Sequence, residues 1–345
     1  VSSIDDLSDA RTTGYSVFLG TAAGMNDDGT DNFNVALGNN ALHYNNTGSY
    51  NTASGFQTLY SNTTGNNNTA HGYLALSSNT TASYNTAYGC RALNNNTTGH
   101  SNTASGFQAL FSNTTGHLNT AYGYRALFSN TTGIQNTSAG YQALYSNTTG
   151  ISNTAMGYKA LNDNSMGSRN TATGEWALYS NISGHHNAAN GYQALYSNTT
   201  GYSNVALGAR ALGKNTNCSN LVAVGDSALY NNGMSSTLNH HGTGNSAIGS
   251  KALYSNTTGY HNTANGYQAL YSNIMGYHNT ANGYQALHSN TGGLINTANG
   301  YEALYSNTYG HRNTANGFWA LFSNIGGYGN TASGYQALYS NTSGN

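Results

Sequence analysis

Apolar residues in this chain recur at fixed offsets and never gather into long runs. The stretch Asn102–Leu118, NTASGFQALFSNTTGHL, is followed at once by Asn119–Gln135, NTAYGYRALFSNTTGIQ. Each copy has an Asn-Thr-Ala entry, a glycine, an aromatic, an Ala-Leu pair, often a second aromatic, and an Asn-Thr-Thr-Gly turn. Numbered by the central glycine, the anchors run from Gly38 to Gly225 and from Gly249 to Gly334 at a constant 17 residues. Two intervals differ: 18 from Gly20 to Gly38, and 24 from Gly225 to Gly249. A short fixed period is the signature of a solenoid, whose coils bury a core only by stacking.

The local spelling predicts the elements of one coil. NVALG (Asn34–Gly38 and Asn204–Gly208), VAVG (Val222–Gly225) and SAIG (Ser246–Gly249) are short and rich in β-branched residues, hence strand-like. NTAxG elsewhere reads as the same strand in a more polar version. The aromatic-x-Ala-Leu-aromatic run after the glycine fits one helical turn or a second short strand, and both stay open. SNTTG is a turn by composition. The pattern therefore predicts an all-β, parallel β-solenoid of about 19 coils over residues 16–345. Residues 1–15, with Ile4 and Leu7 apolar and Ser3 a candidate helix cap, read as an N-terminal cap or a joint to a further domain. The long interval predicts an inserted loop near 231–244, carrying Met234, His240 and His241.

The recurring positions assign roles. Leu stands four residues after the anchor in every copy but the first, which has Gly24; Leu110, Leu127, Leu144, Leu161, Leu178 and Leu195 form the expected core stack. Ala precedes that Leu except at Thr58, and Ala lies two before the anchor except at Phe18 and Ser138. Burying one Leu is worth roughly 1.5–3 kcal/mol, against about 1 kcal/mol or more for ordering each residue of a coil. So thin a core predicts an oligomer, with an interface at the aromatic columns: Phe107, Tyr124, Tyr141, Tyr158 and Tyr192, and Tyr145 in a second column with Phe111 and Phe128. Two Asn columns, Asn102–Asn119–Asn136 and Asn113–Asn130–Asn147, stand at the roughly 4.8 Å stacking distance that permits amide ladders along the coil edges. Asn62, Asn79, Asn113, Asn130, Asn147, Asn198 and Asn256 also satisfy the glycosylation spacing, though turn chemistry accounts for the motif. Arg91, Arg125 and Lys159 share one position, which they mark as exposed.

Composition narrows the function. Charged residues are 6 % of the chain and the net charge is −1, which leaves no footprint for nucleic acid or an anionic membrane. No apolar run is long enough for a membrane-spanning helix. Cys90 and Cys218, separated by roughly 35 Å of stacked coils, cannot pair within one chain. Asp27, Asp28 and Asp31 sit in NDDGTDN, an oxygen-rich loop and the one candidate for calcium; its spacing misses the EF-hand pattern and suits an Asp-Gly turn better. His100 and His117, and likewise His261 and His278, are one period apart, without a Cys or carboxylate to complete a metal site. No nucleophile–base constellation rises above the repeat, so no enzyme and no cofactor are expected. The start at Val1 and the stop after a turn suggest a piece of a longer polypeptide.

The coil-opening VALG, VAVG and SAIG strands resemble the head repeats of trimeric autotransporter adhesins of the YadA type, and NTAxGYxAL…NTTG resembles the repeats of phage and bacterial tail-fibre-like proteins. The resemblance covers about Ser16 to Asn345, and departs in its 17-residue period and its Tyr-rich arms. It implies a left-handed β-roll intertwined as a homotrimer. The implied function is a self-associating fibre at the cell surface, outside the cell or on a virion or injection particle, which adheres to a host-surface protein or glycan. A phage or injection-apparatus tail fibre is the first alternative. An ice-binding solenoid is the second, from the regular column Thr103, Thr120, Thr137, Thr154, Thr171, although its outward neighbour varies.

Overall fold

The computed structural model describes residues 10–234 and 241–345. Ile4, Leu7 and Ser3 of the expected cap, and His240 of the inserted loop, lie outside them. The fold is all-β, a parallel β-solenoid with 17-residue coils, and no helix occurs among the described residues. Two compact units are present, Val1–Arg169 and Asn170–Asn345.

The first unit opens on a hairpin: β1 (Ala10–Thr13) pairs antiparallel with β2 (Ser16–Leu19) and covers its outer edge. From β3 (Val35–Leu37) to Thr154–Met156 each coil of this unit begins with a three-residue strand, and successive strands of the unit pair parallel and in register, as in Thr103↔Thr120 and Ala104↔Ala121. The second unit repeats this from Thr171–Thr173 to Thr331–Ser333, for instance Thr280↔Thr297 and Ala281↔Ala298. The 24-residue coil stays in phase, since Val222–Val224 pairs with Ser246–Ile248.

The arm after the strand is neither a helical turn nor a second strand. Its backbone alternates in the sign of φ: Gln108 and Leu110 have φ of +55° and +52°, and Ala109 between them is not at positive φ. The alternation sends N–H groups both ways along the stack. Gln108 N donates to Cys90 O of the preceding coil at 3.0 Å, and Leu110 N donates to Ala126 O of the following one at 3.0 Å. A side chain at positive φ costs about 1–2 kcal/mol, more when β-branched. In a chain full of Thr, no Val, Ile or Thr stands two or four residues after any anchor. The anchor itself has no exception, for a second reason. At Gly106, φ is +142° and a Cβ would overlap the carbonyl of Gly123 in the next coil.

The core is not a single Leu per coil. In one coil of the first unit Asn102, Ala104, Ala109, Leu110 and Asn113 are all fully buried, and Leu110, Leu127, Leu144 and Leu161 in the first unit and Leu178 and Leu195 in the second each have 0 % exposure. The Asn ladders therefore run inside the coil, not along its edges as the sequence suggested. Asn113 Nδ2 donates to Asn96 Oδ1 at 2.7 Å and to Gly116 O at 2.9 Å, and its own Oδ1 accepts from Asn130 at 2.8 Å. Asn119 donates through its backbone N to Asn102 Oδ1 at 3.0 Å and through Nδ2 to Gly133 O at 2.8 Å. A buried amide is costly only when unpaired, and here the identical residue one coil away pairs it. The same burial closes Asn62, Asn79, Asn113, Asn130, Asn147, Asn198 and Asn256 to glycosylation in the folded chain.

The departures from the repeat are compensated where they occur. Ser138 Oγ donates to Ala143 O and Thr58 Oγ1 to Gly72 O, each at 2.8 Å. Phe18 fills the volume that Leu takes in later coils, and a Cβ on Gly24 would overlap its ring.

Candidate functional site

Polar side chains have moved into the core, and the arm face carries rings. One column follows the anchor directly. In the first unit Phe107, Tyr124, Tyr141 and Tyr158 stack at centroid spacings of 5.3, 5.0 and 5.2 Å, with planes within 11° of parallel. The second column, four residues on, stacks Phe111, Phe128 and Tyr145 at 5.2 and 5.1 Å. The second unit repeats both: Tyr267–Tyr284–Tyr301–Phe318 in the outer column and Tyr271–His288–Tyr305–Phe322 in the inner. The outer rings are exposed, Tyr124 by 38 % and Phe107 by 41 %, whereas Tyr145 and the inner column are half-buried.

This geometry decides which ring surface is offered. Parallel stacking one coil apart occupies both faces of each ring, so edges and hydroxyls point outward. A run of stacked rings is an apolar ridge with a polar rim, not a row of platforms. Faces open only where a column is interrupted. Tyr192 ends such a run: Trp176 lies against it at 5.8 Å and a 50° tilt, Ala209 holds the next position, and the Arg210 guanidinium lies over its ring at 5.8 Å from the centroid.

Between the columns lies the position of Arg91, Arg125 and Lys159. The sequence marked it as exposed; Arg91 is, but Arg125 and Lys159 are half-buried and Gln108 is buried. The stems bridge the columns: the Arg125 guanidinium sits 5.3 Å from the Tyr124 centroid and 5.4 Å from that of Phe128, and Arg125 Nε donates to Gln108 Oε1 at 2.8 Å. In the second unit Glu302 accepts from Trp319 Nε1 at 2.8 Å. Burial in the inner column lowers the His288 pKa against the opposing pull of Glu302, and among the described residues His288 Nδ1 has no hydrogen-bond partner.

The remaining sequence candidates separate from this face. Asp28 Oδ1 accepts from Thr30 Oγ1 at 2.7 Å, from Thr30 N at 3.0 Å and from Asn32 Nδ2 at 3.1 Å, and the Thr30 bonds hold its carboxyl below the usual range. Asp27 accepts from Gly29 N at 3.0 Å. These bonds stabilise a turn, and no group of three metal-ligating side chains, Asp31 included, is assembled among the described residues. His100 and His117 stack on each other at 4.7 Å, as do His261 and His278 at 5.3 Å. Cys90 and Cys218 carry thiols, and Cys218 Sγ lies 3.3 Å from His241 O at the root of the insertion. Met234 is 51 % exposed there.

On the strand face, the Thr column stands beside a variable column in the first unit. In the second, four successive strands read Thr-Ala-Asn, with Asn282 donating to Asn299 and Asn299 to Asn316, both at 2.8 Å. No family model and no curated protein matches the chain.

Proposed function

We propose that the protein is a structural solenoid that self-associates through its outer ring column, as a trimer, and presents a repetitive adhesive surface outside the cell. The observation that carries this reading is the ridge of ring edges at Phe107, Tyr124, Tyr141 and Tyr158, exposed in a chain with little surface charge. An uninterrupted aromatic ridge with polar tips has the composition of an interface core and rim. Sedimentation equilibrium tests it. The full chain is expected at three times its monomer mass, and Tyr124→Ser with Tyr141→Ser is expected to shift it towards the monomer with an unchanged circular-dichroism spectrum. A monomeric parent chain sinks the reading.

The Thr-Ala-Asn strands of the second unit favour ice binding as a second reading. There the outward neighbour of Thr is constant from Asn265 to Asn316, so a regular two-column array of hydroxyls and amides faces outward. Thermal hysteresis that disappears in Thr297→Tyr would support it, and its absence in the parent chain removes it.

A further inference from the structure

The inner ring column of the second unit has a hole in it. Tyr179 and Tyr196 stack at 5.3 Å, and Tyr230 and Tyr254 at 5.5 Å, but the coil between Tyr196 and Tyr230 carries Gly213 at the ring position. We propose that this gap is a binding slot for one ring bearing an anionic group.

The slot differs from the interruptions at Asn94 and Asn162 in the first unit. At Asn94 and Asn162 the missing ring is replaced by an amide, and each Nδ2 bonds a backbone carbonyl at 2.9 Å, Leu74 O and Gln142 O respectively. Gly213 puts nothing in the space. Tyr230 leans over it, so that a Cβ there would meet Tyr230 Cε2 at 2.8 Å. A cavity of about 240 Å³ remains, bounded by Tyr196, Tyr230, Gln193, Arg210 and Lys214. That volume suits a single ring, below the usual range for drug-sized ligands.

The charges fit an anion. Nine basic residues serve the whole chain, and two of them line this one cavity. Arg210 Nε donates to Gln193 Oε1 at 3.3 Å, which orients the guanidinium, and Lys214 Nζ lies 5.1 Å from the Tyr230 centroid. Asp226 stands in the outer column one coil on and does not line the cavity. A ring laid against the Tyr196 face would take the place of the absent side chain, and its carboxylate or sulfate would meet Arg210 and Lys214. An acidic sugar and an aryl carboxylate share this chemistry. The outer ridge is also missing here, because Ala209, Asp226 and Ser250 replace its rings, so the slot stays open when ridges pack against one another.

Calorimetric titration of the full chain with galacturonate, galactose, benzoate and benzyl alcohol tests the assignment. At least one anionic probe is expected to bind at one site per chain, its neutral analogue at least about tenfold more weakly. Galacturonate or benzoate as the better probe distinguishes sugar from aryl ligand. Arg210→Gln and Lys214→Gln should each weaken binding by about tenfold. Gly213→Tyr, which restores the column, should abolish it while the far-ultraviolet spectrum is unchanged. Equal binding of charged and neutral probes, no binding of either anion, or full binding by the Arg210→Gln, Lys214→Gln double variant overturns the proposal. Oligomeric state is read by sedimentation, so failure of the slot and failure of the self-association reading are told apart.

Discussion

Asn113 shows what a buried polar side chain does in a stacked architecture. Its amide is satisfied on three sides, by Asn96, Gly116 and Asn130. Replacing it with Asp keeps size and shape but turns the donating nitrogen into an oxygen facing two acceptors. The burial and those acceptors raise the carboxyl pKa of the variant above its unfolded value. Its stability is therefore expected to be highest below the unfolded pKa and lost as pH rises through the folded one; urea unfolding of Asn113→Asp at acid and neutral pH reads the difference. His288 has the opposite sense. With the folded pKa lowered by burial, stability is present above the usual histidine value and falls as pH drops through it, because the unfolded chain binds the proton more readily. Hydrogen-exchange protection around Leu287 and Tyr305, corrected for the intrinsic slowing of amide exchange in acid, should fall between neutral and mildly acid pH in the parent chain, and not in His288→Tyr.

At the scale of the element, the coil is a set of paired constraints. Phe18 and Gly24 exchange volume between a strand and its arm. Gly24→Leu alone should destabilise by at least about 2 kcal/mol, as should Phe18→Ala alone, while the double variant restores the ordinary coil and recovers much of the loss. A double-mutant cycle that shows additivity would contradict this account. Glycines are not equivalent either. A Cβ on Gly116 would meet Gly133 O of the next coil at 2.5 Å, yet Ala82 occupies the same turn position and is buried, so Gly116→Ala is expected to cost less than Gly106→Ala, which adds a side chain at φ +142° to its own clash with the next coil's carbonyl. Thermal melts should separate the two. The strand, the Leu stack and the Ala positions were legible in the sequence because each shows as one residue type at one offset. The interior placement of the Asn columns was not, since an amide reads as surface until its partner, one coil away, is in view. The alternating sign of φ in the arm did leave a trace, the absence of β-branched residues at the positions of Gln108 and Leu110 in every coil. The Gly213 slot left only a missing ring.

For the whole molecule, contacts join each coil chiefly to its neighbours, so within a unit coils behave as exchangeable modules. Removing Asn119–Gln135, one full period, should leave the spectrum and the transition nearly intact. Removing one residue fewer would offset the register, turn Ala outward and Thr inward, and collapse the cooperative transition.

The buried ladders also give the stack a sense of direction. In each unit the inner amides point the same way: Asn130 donates to Asn113 and Asn113 to Asn96, as Asn307 donates to Asn290 and Asn290 to Asn273. Their dipoles add as peptide dipoles add in a helix, with the positive pole towards the earlier coils. A coil can therefore dock on another by offering donors to acceptors, and two later-coil faces meeting each other would oppose carbonyl to carbonyl. Any end-to-end association built on this cross-section is vectorial, and repeated contacts of that kind propagate wherever no rotation closes them into a ring.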